Sequence, residues 1–390
     1  MTADDPTATR GPVHIVGTGL LGTSIALALT ARGVSVTLAD TSPSMLALAR
    51  DLGAGTIARA DANTASDTGP TPSAAGDAPA LVVVAVPPDV TADEVAHALR
   101  RFPDAVVTDV ASVKSVLLAE LHELAAGDPR VELSRYVGSH PMAGREKSGA
   151  AAASADLFIG RPWVLAAHED ASERAILTVR ALAADAGASL VSMDADEHDD
   201  AVALISHVPQ LMASLMAAQL VDAPERALAL AGQGVRDVTR IAASEPRLWS
   251  AILTGNAAAV SPLLRTIRDD LDALVRAIDR AAAEGPLAPG AVAGISRLIA
   301  AGNDGVARVP GKHGGARRRY AEVTVLVPDE PGELGRLFSE VGEIGVNIED
   351  FQMEHSPKQK VGMAIVSVTQ EAAQPLEQAL EQRGWRVVAP

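Results

Sequence analysis

Three short stretches of this sequence hold residue types that can do chemistry together. Gly17-Thr18-Gly19-Leu20-Leu21-Gly22 satisfies G-x-G-x-x-G. The first glycine makes a tight turn, the second lets backbone reach a pyrophosphate, and the third lets a helix pack on the preceding strand. Free N–H groups at the start of that helix then face the anion. Asp40 stands 23 positions after Gly17 (40 − 17), where a carboxylate bonds ribose hydroxyls and repels a 2′-phosphate. No arginine follows at Thr41 or Ser42, so the pattern points to NAD rather than NADP. A plain tight turn, with Asp40 capping the next helix, is the alternative. Strand, glycines and acid agreeing in position weigh against it.

The second stretch, Val137-Gly138-Ser139-His140-Pro141-Met142-Ala143-Gly144, puts a histidine in a glycine-flanked segment. An imidazole accepts a proton at neutral pH. Alone, such a histidine is more often structural. Ser112 strengthens the case, because it follows a predicted parallel strand whose carboxyl end lines the ligand crevice. The third stretch is helical: Ser206-His207-Val208-Pro209-Gln210, then Gly232 to Arg240. Arg240 in an apolar setting is a natural fork for a carboxylate. A pairing with Asp237 on the same helix face explains it equally well. The acidic run Asp194 to Asp200 reads as a helix start stabilising its own dipole rather than as a metal site.

The surrounding pattern supplies elements to position these groups. Residues 13–16 read as a buried strand, Leu20 to Ala31 as a helix and 34–39 as a second parallel strand. LVVVAV (81–86) and VVTDV (106–110) are continuous apolar strands of the kind buried on both faces. From about residue 170, long Ala/Leu segments broken by prolines predict a helical second domain. Residues 305–319 read as a linker, and 320–390 alternate as a small α+β unit. The fold class is α/β: a dinucleotide-binding domain at 1–188, an all-helical substrate and dimerisation domain at 189–304, and the α+β unit at the end.

Composition narrows the function. The formal charge is −16, which makes nucleic acid an unsuitable partner. The absence of cysteine excludes disulfides, thiolate metal sites and a cysteine nucleophile. No uninterrupted apolar run approaches membrane length, and the polar start lacks a signal-peptide core. A soluble, cytoplasmic protein working on a small molecule is expected.

Taken in order, IVGTGLLGTSIA, VAVPPD, VTDVASVKS, GSHPMAGREKSG, DEHD…ISHVPQ and GVRDVTRIAASEPRLW resemble the prephenate/arogenate dehydrogenase family, from about residue 13 to about 312. That resemblance implies NAD-dependent oxidative decarboxylation of prephenate to 4-hydroxyphenylpyruvate, with no metal, in tyrosine biosynthesis. It implies His140 as the base, Ser112 as the group that orients it, and Arg240 on the ring carboxylate. It implies Glu146 as a gate to the pocket, His207 and Arg236 around the substrate side chain, and Val86 and Pro87 beside the coenzyme. Many members carry HLPH where this chain has His207-Val208-Pro209-Gln210, so Gln210 leaves arogenate open as the substrate. Residues 320–390 resemble an ACT domain through Asp329, Gly332, Glu333 and Leu334, followed by Asn347 and Ile348. This implies tyrosine or phenylalanine as an effector, or a dimerisation module without a ligand. A homodimer is the expected assembly.

A β-hydroxyacid dehydrogenase shares the two-domain plan but usually relies on a lysine in the helical domain. Residues 160–300 contain none. A sensor that binds NAD without turnover is the reading of another class. The set of His140, Ser112 and Arg240 argues against it.

Overall fold

The computed structural model describes residues 7–58, 78–145, 149–310, 320–355 and 361–388. By compactness the chain divides into two units, 1–267 and 268–390.

The first unit opens with strands β1 (Val13–Val16), β2 (Val36–Ala39), β3 (Thr56–Ile57), β4 (Leu81–Val84), β5 (Val106–Asp109), β6 (Tyr136–Pro141), β7 (Pro162–Ala166) and β8 (Ser189–Ser192). Helices α1 (Leu20–Thr30), α2 (Pro43–Asp51), α3 (Pro88–Arg101), α4 (Ser115–Gly127) and α5 (Glu173–Asp185) connect them. The strands form one sheet in the order β3-β2-β1-β4-β5-β6-β7-β8. All neighbours are parallel except β6 with β7. Leu81 and Val83 of β4 join one core with Ile25 and Leu29 of α1 and Leu182 of α5. Val82 and Val84 join the other with Val95 and Leu99 of α3 and Leu121 of α4. The continuous apolar run is thus buried on both faces, as a parallel sheet requires. Helix α1 leaves β1 on one face and α3 leaves β4 on the other. The crevice for a ligand lies where those connections diverge, beyond the carboxyl ends of β1 and β4.

Inclusion of β8 carries the sheet domain to residue 192, past the expected boundary at 188. The strand pairs in parallel with β7, and its half-buried residues gave no strong apolar signal.

The helical part follows with α6 (Ala195–Val202), a π turn (Ala203–His207) and α7 (Val208–Ala218). Next come α8 (Glu225–Leu228), α9 (Gln233–Thr239), a 3-10 turn (Arg240–Ala242), α10 (Pro246–Gly255) and α11 (Ala257–Glu284). Its small core joins Ala203, Val208 and Val260. Residues Ala195–Ala218 run as one helix of 24 residues, long and apolar enough to cross a membrane, with a mean hydropathy of 1.5. The expectation of no such stretch therefore has an exception. Buried His198, Asp199 and His207 sit on it in a hydrogen-bonded network, which makes it a working helix of this domain.

The second unit contains α12 (Ala291–Ala307), β9 (Ala321–Pro328), α13 (Glu333–Ile344), β10 (Asp350–His355), β11 (Val361–Val368), α14 (Gln370–Gln382) and β12 (Arg386–Val388). Helix α12 runs three residues past the expected domain end at 304. The last six elements form a β-α-β-β-α-β fold with strand order β10-β11-β9-β12. Val323, Val325 and Val327 alternate inward against Leu337, Val341, Leu376 and Leu380, and the Arg336 guanidinium lies 4.0 Å over the Trp385 ring.

One buried ion pair anchors the carboxyl edge of the main sheet. Asp109 ends β5 with no exposure, and Lys114 is 2% exposed. Lys114 Nζ donates to Asp109 Oδ1 at 2.5 Å, and Tyr136 Oη donates to Oδ2 at 2.7 Å. A side chain at Gly138 would meet Lys114 Cδ at 3.2 Å, so the glycine makes room for the lysine stem. Lys114→Met is expected to destabilise the first unit by about 3–5 kcal/mol, because it leaves a buried carboxylate without its cation. Urea unfolding followed by circular dichroism checks this.

Candidate active site

The glycine turn forms a cradle that additional atoms would fill. A Cβ on Gly17, whose φ is +95°, would lie 2.3 Å from the Ala85 carbonyl oxygen. A Cβ on Gly22 would lie 2.0 Å from the Gly17 oxygen, whereas one on Gly19 would meet nothing within 4 Å. Two glycines are thus required by packing, and the third borders open space at the N-terminus of α1. Leu20 and Leu21 begin that helix, half-buried. Val86 lies against Gly17, and Pro87 precedes α3. Asp40 stands at the end of β2. Its Oδ2 accepts from Thr18 N at 2.6 Å and Thr18 Oγ1 at 2.7 Å, and its Oδ1 accepts from Ser42 N at 2.7 Å. Beyond its expected ribose role, Asp40 therefore braces the turn itself. These residues fit a dinucleotide: an open backbone cradle for the pyrophosphate, and a half-buried carboxylate whose Oδ1 keeps one lone pair for a ribose hydroxyl.

Two strands away, His140 sits in β6, buried with 8% exposure. Its Nδ1 lies 2.8 Å from His198 Nε2. His198 Nδ1 lies 2.8 Å from Asp199 Oδ1. Asp199 also accepts from the backbone N–H groups of Lys114 at 2.9 Å and Ser115 at 2.8 Å, at the start of α4. Burial works to raise the Asp199 carboxyl, but the bonds from His198, Ser115 and Lys114 together hold it below its ordinary value. The ionised carboxylate accepts a hydrogen bond from His198 Nδ1–H. A neutral His198 ring then accepts at Nε2, an arrangement in which His140 donates from Nδ1 and its Nε2 is bare. Burial pushes the basicity of His140 well below that of an ordinary imidazole, and His198, Lys114 and His207 push the same way.

His207 and His198 are nine residues apart (207 − 198), roughly two and a half turns of an α-helix and so on opposite faces. The π turn at Ala203–His207 changes the phase between them. His207 ends buried beside the same network, with Asn256 Nδ2 3.1 Å from its Nδ1. Trp249 packs edge-on to its ring, with centroids 6.1 Å apart.

The sequence matches two family models in succession. Residues 25–192 match the nucleotide-binding domain of prephenate dehydrogenase, and 194–288 match its dimerization domain. The chain is 36% identical to a probable prephenate dehydrogenase, NovF, of Streptomyces niveus, over 95% of its own length and 98% of that protein's. It is 30% identical to a cyclohexadienyl dehydrogenase of Zymomonas mobilis, over 68% of its own length and 88% of that protein's. Among solved structures it is similar to prephenate dehydrogenase from A. aeolicus in complex with hydroxyphenyl propionate and NAD+. The TM-score is 0.62 at 25% identity, covering 76% of this chain and 98% of that one. The chain belongs to the prephenate dehydrogenase family. It is an NAD-dependent oxidoreductase of the prephenate dehydrogenase class.

Within this family member the structure gathers some of the expected site residues and not others. Gly17, Thr18, Gly19, Gly22, Asp40 and Val86 meet at one crevice. His140 and His207 share one buried network. Ser112 is half-buried just past β5, but among the described residues it makes no hydrogen bond to His140. Among the described residues the hydrogen bond of the His140 ring is with His198, at Nδ1. Gln210 is buried and donates from Nε2 to Ser244 Oγ at 2.6 Å, which ties α7 to the segment after Arg240. Arg236 and Arg240 are exposed, on α9 and the 3-10 turn. Asp237 accepts from Gln233 at 2.7 Å. Glu146 lies outside the described residues.

In the second unit, Gly332 adopts φ +96° at the start of α13. Leu334 and Ile348 pack against the core. Glu333 pairs with Arg336 at 2.7 Å, and Asn347 donates to Glu349 at 2.7 Å.

His198, Asp199, Asn256 and Lys114 were missed by sequence reasoning. In the sequence, His198 and Asp199 form part of an acidic helix start, and Asp194 does cap that helix, accepting from Glu197 N at 2.8 Å. The signal that separates the two is phase: His198, Asp199 and Val202 are the buried residues of α6.

Gly19→Ala is expected to leave the thermal midpoint unchanged, since no atom stands near the new methyl. NAD affinity should fall at least tenfold, about 1.4 kcal/mol, because the methyl occupies the open cradle. Differential scanning fluorimetry and a coenzyme titration separate the two effects.

Proposed function

We propose that His140 Nε2 removes the proton of the substrate's ring hydroxyl while hydride leaves the same carbon. The observation that carries this is the Asp199–His198–His140 chain, which leaves one bare nitrogen on a neutral ring. NAD held at the Gly17–Gly22 turn and Asp40 would supply the hydride acceptor. The ring then carries a carbonyl para to a quaternary carbon, loses that carbon's carboxylate as CO2, and becomes aromatic. The protein has only to align the transfer, supply a base and hold the anion. Arg240 is assigned to the ring carboxylate. It sits on the turn that Ser244 and Gln210 fasten to α7, the helix that His207 leads into.

Gln210 favours a second reading, arogenate as an additional substrate. Ser244 Oγ lies 3.3 Å from the Ala242 oxygen and 3.4 Å from the Ile241 oxygen. Carbonyls only accept, so the hydroxyl donates to them and accepts from Gln210 Nε2. The Gln210 Oε1 is left as an acceptor, which suits the ammonium of arogenate better than the ketone of prephenate.

We assign the active form to a homodimer in the cytoplasm. The match of residues 194–288 to a dimerization domain supports the pairing, as do the exposed Leu204, Ile205 and Leu215 on the α6–α7 helix. We also assign the terminal fold as an ACT-type unit binding tyrosine or phenylalanine at Asp329–Leu334. Its support is the glycine turn opening a helix of 12 residues, whose N–H groups suit a carboxylate. Inhibition of NADH formation by added tyrosine or phenylalanine tests that assignment, and indifference to both contradicts it.

His140→Asn is expected to abolish NADH formation while NAD binding survives. Arg240→Gln should instead raise KM by roughly ten- to a hundred-fold, the usual cost of one charged hydrogen bond. In the wild type the base must be unprotonated to act, and its affinity for protons is depressed. The acid limb of kcat/KM should therefore lie below pH 6.5, with no loss between pH 6.5 and 8. Steady-state assays with prephenate and with arogenate check the substrate reading. Turnover of arogenate at under one hundredth of the prephenate rate would remove the role given to Gln210.

A further inference from the structure

Asn256 follows α10 and is buried with 3% exposure, in a place where its amide decides the state of another group. Its Nδ2 lies 2.8 Å from the Asp199 backbone oxygen and 3.1 Å from His207 Nδ1. A backbone carbonyl only accepts, so the atom facing it is the amide nitrogen and not its oxygen. The second hydrogen on that nitrogen is directed at His207 Nδ1, which must then be bare. The ring proton of His207 is left on Nε2. Burial holds His207 down to about 4, against the pull of Asp199 and with the help of His198, so the ring is neutral where the enzyme works.

His140 has the opposite arrangement, with its proton on Nδ1 and a bare Nε2. Both states trace to Asp199. Its carboxylate sets His140 through His198, and its backbone oxygen fixes the amide that sets His207. We propose that Asn256 is a positioning residue that holds His207 as an Nε2–H donor, giving the site one accepting and one donating imidazole nitrogen at the substrate's ring hydroxyl, in place of the side-chain contact that the family resemblance implies for His207. The proposal rests on the reading of His140 as base. As the hydroxyl proton leaves, negative charge gathers on that oxygen, and a fixed neutral donor stabilises it without competing for the proton. The groups around His207 fit this division. Asp199 and His198 belong to the relay, Asn256 is uncharged, and Trp249 offers only a ring.

Nitrogen-15 NMR of the histidine side chains in the full chain with NAD tests the proposal. The wild type is expected to show His207 with a bare Nδ1 and a protonated Nε2 at neutral pH. In Asn256→Asp the new carboxylate should take the proton onto Nδ1, and kcat should fall roughly a hundredfold, with KM and NAD affinity little changed. A protonated Nδ1 in the wild-type spectrum would overturn the proposal whether or not the variant folds. A reversed tautomer in Asn256→Asp with wild-type kcat would overturn it as well. Full turnover by His140→Asn would instead sink the reading of His140 while leaving the His207 spectrum as the judge of Asn256.

Discussion

Asp199 is the interaction on which the rest of the site depends. Its carboxylate is almost fully buried, 4% exposed, and stays charged because three N–H groups converge on it. Two of them are the first amides of α4, where an anion is favoured by the unsatisfied donors of a helix start. The third is His198 Nδ1–H. A carboxylate held this way has one way to bond the histidine next to it, and a neutral histidine there has one way to bond His140. The chemistry of the base is thus set by a helix terminus on another element, through two side chains.

The main sheet supplies the distances. Position β5 beside β6, and the carboxyl end of one strand delivers Asp109, then Lys114 and Ser115, toward the helix that carries Asp199. The next strand delivers His140 to the same level. The buried Lys114–Asp109–Tyr136 cluster pins the loop after β5, and Lys114 contributes its backbone N–H to Asp199 from the same loop. The residue that neutralises the sheet edge is therefore also one that positions the relay. The coenzyme cradle belongs to the same edge, since Gly17 rests against the backbone after β4.

Much of this was legible in the sequence where one residue type has one physical job. The glycine turn needs positive φ and close approach at Gly17, and only glycine meets both demands. The run 81–84 is apolar at every position, and 106–109 opens on two valines, because both sheet faces are covered. His140 stood out by its glycine-flanked setting. The relay did not stand out. His198 and Asp199 lie among acids that an amphipathic count assigns to solvent, and the π turn breaks the 3.6-residue phase that would align His207 with them. Asn256 carries no motif, since its role depends on two atoms brought from 57 and 49 positions away. The contact of His198 with His140 was hidden for the same reason: the strand position of Ser112 was readable, whereas a partner on a distant helix was not.

Catalysis by His140 therefore turns on whether Asp199 dictates which of its nitrogens is bare, and Asp199→Asn measures this directly. An asparagine amide must set its NH2 either against Ser115 N–H or against Lys114 N–H and His198 Nδ1, and in both cases it removes the negative charge that holds the proton on His198 Nδ1. The expected result is a fall in kcat of roughly a hundredfold or more, the share a general base contributes, in a protein that still folds and binds NAD. A folded, NAD-binding Asp199→Asn enzyme with kcat near that of the wild type would contradict it.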